Sequence, residues 1–313
     1  MSILVTGGAG YIGSHIVHDL VAMDYEVTVL DDLSTGLGSR IPPKVRFVEM
    51  DICSERSLFN LFRKNSFDTV IHLAGKKSVS ESFLNFELYK KVNFFGTSYL
   101  VKSAEAFGVK NFIFSSTAAI YDGSSQTRVN ELSPKIPISP YGVTKLEAEN
   151  IIRESRNRSS MNTCSLRFFN VAGAGSVDLK DSGKTNLISI VFDQVSKGVR
   201  PIIFGEDYAT KDGTCIRDYV HVLDISRAHI MALQKMSKET IPAEINIGTG
   251  QGYSVKEVIF EILAATRSDL TPIIGERREG DFPNLIADNT LMLKTLGMLK
   301  LRGLREIVDS INV

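Results

Sequence analysis

The sequence predicts an α/β fold: a doubly wound parallel sheet with helices on both faces, joined to a smaller mixed α/β lobe. Three observations carry that prediction. An apolar stretch, Ile3-Leu4-Val5, runs directly into Gly7-Gly8-Ala9-Gly10-Tyr11-Ile12-Gly13. Short apolar strands then alternate with amphipathic stretches as far as Asn170, and beyond it the pattern gives way to glycines and charges from Val171 to Lys184. Strand and helix alternate in this way when β-α-β crossovers lay parallel strands between two layers of helix.

The first strand and its turn read as a dinucleotide site of the Rossmann type. A pyrophosphate can rest on the positive end of a helix only where the backbone turns tightly and side chains leave room. Gly7 turns the chain, Gly10 clears space beside the phosphates, and Gly13 lets the helix pack on its strand, with Tyr11 and Ile12 in the same turn. The second strand, Val27-Thr28-Val29-Leu30, ends in Asp31-Asp32, roughly 20 residues on, where a carboxylate meets the adenosine ribose. Asp31 argues for NAD. A 2'-phosphate would meet its like charge, and no arginine or lysine lies between Asp31 and Gly36 to offset it.

Further short strands are expected at Val45 to Glu49, Thr69 to Leu73, Asn111 to Ser115 and Thr163 to Phe168. Helices are expected over Ser54 to Lys64, Glu81 to Phe107 and Tyr141 to Arg156. The irregular stretch after Asn170 marks a boundary, and Glu244-Ile245-Asn246-Ile247 reads as one more buried strand. The expected organisation is therefore a nucleotide-binding domain over 1–170, rejoined by 222–250, and a substrate-binding lobe from 171–221 and 251–313. With 36 basic and 36 acidic residues the formal net charge is zero, so no basic field recruits nucleic acid or a membrane. No apolar run approaches membrane-spanning length, and nothing reads as a targeting segment. Cys53, Cys164 and Cys215 are odd in number and far apart, which suits reduced thiols and a cytoplasmic protein. No metal is expected.

Tyr141 and Lys145 stand four apart at the start of a helix whose first turn Pro140 favours, so both lie on one face. An ammonium at roughly 5 Å, in an effective dielectric near 20, favours the phenolate by about 3 kcal/mol. With the charge of the oxidised nicotinamide, Tyr141 is expected to approach neutral pH as a base. Ser115-Ser116-Thr117 closes the strand before it, at the carboxyl end where open α/β sheets bind ligands. His72 and His221 read as structural.

These residues resemble the extended short-chain dehydrogenase/reductase family. The segment Asp212 to Val222, with Arg277-Arg278-Glu279-Gly280-Asp281, is similar to the UDP-galactose 4-epimerases within it, and the resemblance covers almost the whole chain. It implies that NAD accepts hydride from carbon four of a UDP-hexose and returns it to the opposite face. Tyr141 is then base and acid, Lys145 tunes it and holds the nicotinamide ribose, and Thr117 takes the Ser/Thr position. It also implies Asp51 and Ile52 at the adenine, Leu73, Ala74, Gly75, Lys77, Asn93 and Ser115 along the cofactor cleft, and Phe169 near the nicotinamide. Asn170, Asn186, Leu187, Phe204, Arg217, Arg278 and Asp281 are implied at the UDP moiety. The resemblance further implies a homodimer paired through a four-helix bundle. Two positions depart from the family: Asp122 stands where glycine is common, and Leu285 stands where some members carry tyrosine against the hexose. The smaller Leu285 leaves room for N-acetylated UDP-hexosamines. A 4-epimerase of UDP-uronic acids or another nucleotide-sugar-modifying enzyme of the family, and an NAD-binding sensor without catalysis, remain alternatives.

Overall fold

Ile3, Leu4 and Val5 are fully buried, as a strand covered on both faces requires. Each such side chain contributes about 1.5–3 kcal/mol relative to exposure. They form β1 (Ser2–Thr6), which pairs in parallel with β2 (Glu26–Asp31) on one side and β4 (Thr69–His72) on the other. β3 (Arg46–Glu49) extends the sheet beyond β2, and β5 (Asn111–Thr117) extends it beyond β4, both in parallel. The seven-stranded order is β3-β2-β1-β4-β5, then the strand Asn162–Phe168, then the strand Glu244–Ile247. The chain leaves β1 in one direction and returns across it to β4. That reversal opens a crevice at the carboxyl ends of β1 and β4, the place where doubly wound sheets bind nucleotides.

The computed structural model describes residues 1–121, 128–183, 186–278 and 281–312. Asp122, Lys184, Glu279 and Gly280, which the sequence reading singled out, lie outside the described residues. Two compact units divide the chain. The first comprises Met1–Ile120, Lys135–Arg167 and Ser226–Ile245, and the second Tyr121–Pro134, Phe168–Ile225 and Asn246–Val313.

In the first unit, α1 (Tyr11–Ala22) follows β1, and α2 (Glu55–Lys64) leads towards β4. Leu58, Leu61 and Phe62 of α2 pack with Leu4, Leu30, Val70, Phe112 and Ile152 in one core. The stretch Glu81 to Phe107, expected as one helix, is instead four pieces: α3 (Val79–Leu84), α4 (Phe86–Tyr89), a π-helical turn (Lys90–Gly96) and α5 (Thr97–Ala106). Asn85 steps out of helical geometry at φ −132° and ψ 47°, which separates α3 from α4. The wide turn is held by Asn93. Its side chain accepts from Lys76 N at 2.8 Å and donates to Lys76 O at 3.0 Å and to Thr144 Oγ1 at 3.2 Å. At about 1 kcal/mol net per hydrogen bond, these three contacts offset the poorer geometry of a π turn. α6 (Pro140–Arg158) begins at Ser139, whose hydroxyl accepts from Gly142 N, with Pro140 in the first turn.

In the second unit, a four-stranded sheet runs Tyr253–Ser254, Ile216–Arg217, Asn284–Ala287, Arg128–Val129. Two further pairs join Asn170–Ala172 to Tyr219–His221 and Ile202–Phe204 to Ile273–Gly275. Parallel and antiparallel pairings are mixed. Ile188, Val191, Ile203, Val258, Ile262 and Ile307 form this unit's own core. Among the described residues no helix is long and apolar enough to cross a membrane.

Candidate active site

The turn between β1 and α1 has no room for side chains. A Cβ on Gly13 would fall 2.1 Å from Gly7 O, and one on Gly7, which adopts φ +72°, would fall 2.6 Å from Ala74 N. The turn is therefore pressed against the end of β4, where Leu73, Ala74 and Gly75 follow His72. Asp31, at the end of β2, braces it from the other side. Its carboxylate accepts from Ala9 N at 3.0 Å and from Leu33 N at 2.9 Å, which leaves about half of its lone-pair sites for a ribose hydroxyl. Burial raises its pKa despite those two bonds. Asp32 and Asp51 accept from the backbone at Ser34 and Cys53. Ile52 packs beside Gly96 at the end of the π turn, and Lys77 lies over the Tyr11 ring at 5.8 Å.

Beneath this turn lies a chain of polar groups that the sequence reading did not connect, although it named His72 and Asn93. Thr6 Oγ1 pairs with His72 Nδ1 at 2.7 Å, His72 Nε2 pairs with Thr97 Oγ1 at 2.9 Å, and Thr97 Oγ1 donates to Asn93 O at 2.6 Å. Burial, and secondarily the charge of Lys145, hold His72 down at about 3. A neutral imidazole bridging two threonines fixes strand ends rather than exchanging protons.

The catalytic candidates meet where α6 starts. A Cβ on Gly142 would approach Ala119 O to 2.4 Å, so the first turn of α6 lies directly on the segment after Thr117. Tyr141 packs edge-on against Tyr89 at 6.4 Å. Lys145 Nζ donates to Ser115 O at 2.6 Å and lies 4.0 Å from the centre of the Phe114 ring. The Ser115 hydroxyl pairs with His229 Nε2 at 3.1 Å. In the protein by itself Tyr141 is shifted up, not down, because burial outweighs the hydrogen bond from Thr117. Burial likewise drives Lys145 down to about 7, against the opposing charge of Glu149. A buried ammonium committed to a carbonyl cannot hold the phenol near neutrality unaided.

In the second unit, Arg217 donates to Phe282 O at 2.7 Å and to Asp281 Oδ1 at 3.2 Å, and pairs in register with Leu285. The Arg278 guanidinium lies over the Phe204 ring at 3.9 Å. Asn170 pairs in register with Tyr219, two residues from Arg217, and the buried Phe169 precedes it. Asn186 caps the helix Leu187–Ser196 by accepting from Ser189 N, and donates to Asp181, so its side chain is engaged locally, with Leu187 next to it. A hub missed from sequence is Asp218. It accepts from Thr249 N and Oγ1, Gly250 N and Ala287 N, and so anchors the residue next to Arg217. The available signal was a carboxylate standing between Arg217 and the apolar pair Tyr219-Val220.

The NAD dependent epimerase/dehydratase family matches residues 3–248. The chain belongs to that family. A UDP-glucose 4-epimerase of Halalkalibacterium halodurans is 41% identical over 302 residues, covering 95% of this chain and 90% of its own length. The UDP-glucose 4-epimerase of Brucella ovis, solved in complex with NAD, is 34% identical with a TM-score of 0.92, covering 99% of this chain and 96% of that one. A UDP-Glc/GlcNAc 4-epimerase of Campylobacter jejuni is 37% identical with a TM-score of 0.87, covering 99% and 98%. As a member of the epimerase/dehydratase family the protein is an NAD-dependent enzyme. The glycine turn fits that cofactor, since the side chains that would obstruct a pyrophosphate are missing at Gly7, Gly10 and Gly13.

Proposed function

We propose that the protein inverts carbon four of a UDP-hexose, as its UDP-glucose 4-epimerase relatives do. The first unit holds NAD, through the residues named for it at the β1–α1 turn and after β2, β3, β4 and β5. Residues of the second unit hold the UDP-sugar, with Arg217 and Arg278 on the pyrophosphate, since guanidinium groups match phosphate oxygens bidentately. The observation that carries the proposal is Tyr141, hydrogen-bonded by Thr117 and one helical turn before Lys145, in a unit whose first turn is shaped for a dinucleotide.

Bound NAD supplies a reversible hydride acceptor for carbon four of the hexose. Tyr141 takes the proton of the 4-hydroxyl and later returns it to the ketone oxygen after the sugar has turned over. Thr117 donates a hydrogen bond that favours the phenolate, and Lys145 supplies positive charge behind it. Burial of Tyr141 keeps bulk water from competing for that proton. A positioned base of this kind contributes about 10²- to 10⁴-fold. Tyr141→Phe should therefore lose turnover on that scale while its NAD content stays unchanged, and near-normal turnover would remove the tyrosine from the reaction. The broader test incubates purified protein, without added cofactor, with UDP-glucose and separately with UDP-N-acetylglucosamine, followed by chromatography of the sugars. Galacto products support 4-epimerisation; no product with either, even after NAD is supplied, refutes it.

The protein acts as a homodimer in this reading. Val79, Phe83, Leu84, Phe86, Leu88 and Phe95 are all exposed on α3, α4 and the π turn, an apolar concentration of the kind that marks contact surfaces. A cytoplasmic setting accords with Cys53, Cys164 and Cys215, which are free thiols.

A further inference from the structure

Glu149 and Arg167 form an ion pair whose side chains are both 0% exposed. Arg167 Nε donates to Glu149 Oε1 at 3.0 Å, and Nη2 donates to Oε2 at 2.7 Å, a fork-to-fork geometry. Stability alone does not account for such a pair, because desolvating two ions costs about as much as their attraction returns, and apolar replacements are often neutral or better. Its position offers another reason. Tyr141, Lys145 and Glu149 follow one another at intervals of four along one face of α6. The Lys145 ammonium is met by the Ser115 carbonyl and the Phe114 ring, and Glu149 stands one turn further along.

We propose that Glu149, locked in place by Arg167, is a positioning residue that keeps Lys145 charged and aimed behind Tyr141. The proposal rests on the role given to Lys145 under the proposed function. The groups that act on Lys145 are Glu149 from α6, the Ser115 carbonyl and Phe114 ring from β5, and His72 from β4, which feels its charge; Ser115 pairs in turn with His229 from the helix Val222–Met236, and Glu149 with Arg167 from the strand Asn162–Phe168. Of these, Glu149 carries the negative charge. Its field opposes the burial that otherwise strips the proton from Lys145, and His72, lowered partly by Lys145, is held neutral. Arg167 fixes the carboxylate so that it cannot turn away. Lys135 feels the charges of both members of the pair and of Arg153 and Glu244.

The test follows the Lys145 Cε resonance by ¹³C NMR through a pH titration of the NAD-loaded protein, assigned by its loss in Lys145→Met. Glu149→Gln alone leaves Arg167 buried without its carboxylate and risks unfolding. The double variant Glu149→Gln with Arg167→Met removes both charges and keeps the volume. Wherever the fold is retained by circular dichroism, the Lys145 midpoint should fall by about one pH unit or more, and kcat should fall with KM for the UDP-sugar little changed. A midpoint in the folded double variant equal to that of the wild type overturns the proposal. Wild-type turnover by Lys145→Met would instead overturn the role of Lys145, a separate outcome from the titration.

Discussion

Lys145 shows how one residue serves two states of the protein. Buried beside a carbonyl and a ring face, it titrates at about 7 instead of its usual 10.5. Between those values the unfolded chain binds the proton and the folded chain does not, so stability of the cofactor-free protein rises with pH across that window. Below about 7 both states bind it, and the burial cost is felt in full. Lys145→Met removes this dependence. Urea midpoints of cofactor-free protein at pH 7 and pH 9.5 should show the wild type gaining on the variant by on the order of 3 kcal/mol, and parallel behaviour of the two would contradict it. At this scale Tyr141 and Lys145 were legible because they lie four apart in one local run. The shift of Tyr141 was not, because burial by Tyr89 and the Thr117 segment is a tertiary effect that spacing does not carry. Glu149 was within reach as the next position on the same face. Arg167 left a trace as the charged residue in the apolar strand Cys164-Ser165-Leu166-Arg167-Phe168, though nothing local could join residues 18 apart.

Among elements, the sheet and its order follow from signals that are short in sequence: apolar runs of strand length, a glycine turn, a carboxylate closing β2. Parallel strands buried on both faces must be apolar throughout, so they are easily read. The interrupted helix was hidden, because a π turn keeps amphipathic character on average while shifting the phase. In the second unit, the pairing of Arg217 with Leu285 ties a phosphate-binding candidate to a specificity candidate in adjacent strands. Leu285 is half-buried and shorter than tyrosine. Leu285→Tyr should lower kcat/KM for UDP-N-acetylglucosamine relative to UDP-glucose by about tenfold or more, on the usual scale of steric discrimination in a pocket. An unchanged ratio of the two would place the N-acetyl group elsewhere.

For the whole molecule, the apolar surface on α3 and α4 stands out, with Leu84 84% exposed and Phe83 61% exposed. Sedimentation should give twice the 34.5 kDa chain mass, and Phe83→Glu with Leu84→Glu should return it to the single chain. A wild-type monomer would leave that surface for a different partner. Composition could exclude a basic field but could not reveal this patch, since its residues are apolar in the same measure as those of the core. The π turn between that surface and α5 has a consequence of its own. Such a turn amounts to one residue more than an α-helix needs, and each residue advances a helix by roughly 100°. Deleting a single amino acid there would rotate the outward face against the inward one, so that Asn93 could no longer reach Lys76 and Thr144 while Phe83 and Leu84 kept their outlook. The turn thus works as a phase coupling: the angle between the apolar surface of α3 and α4 and the inward hydrogen bonds of Asn93 is encoded in a residue count.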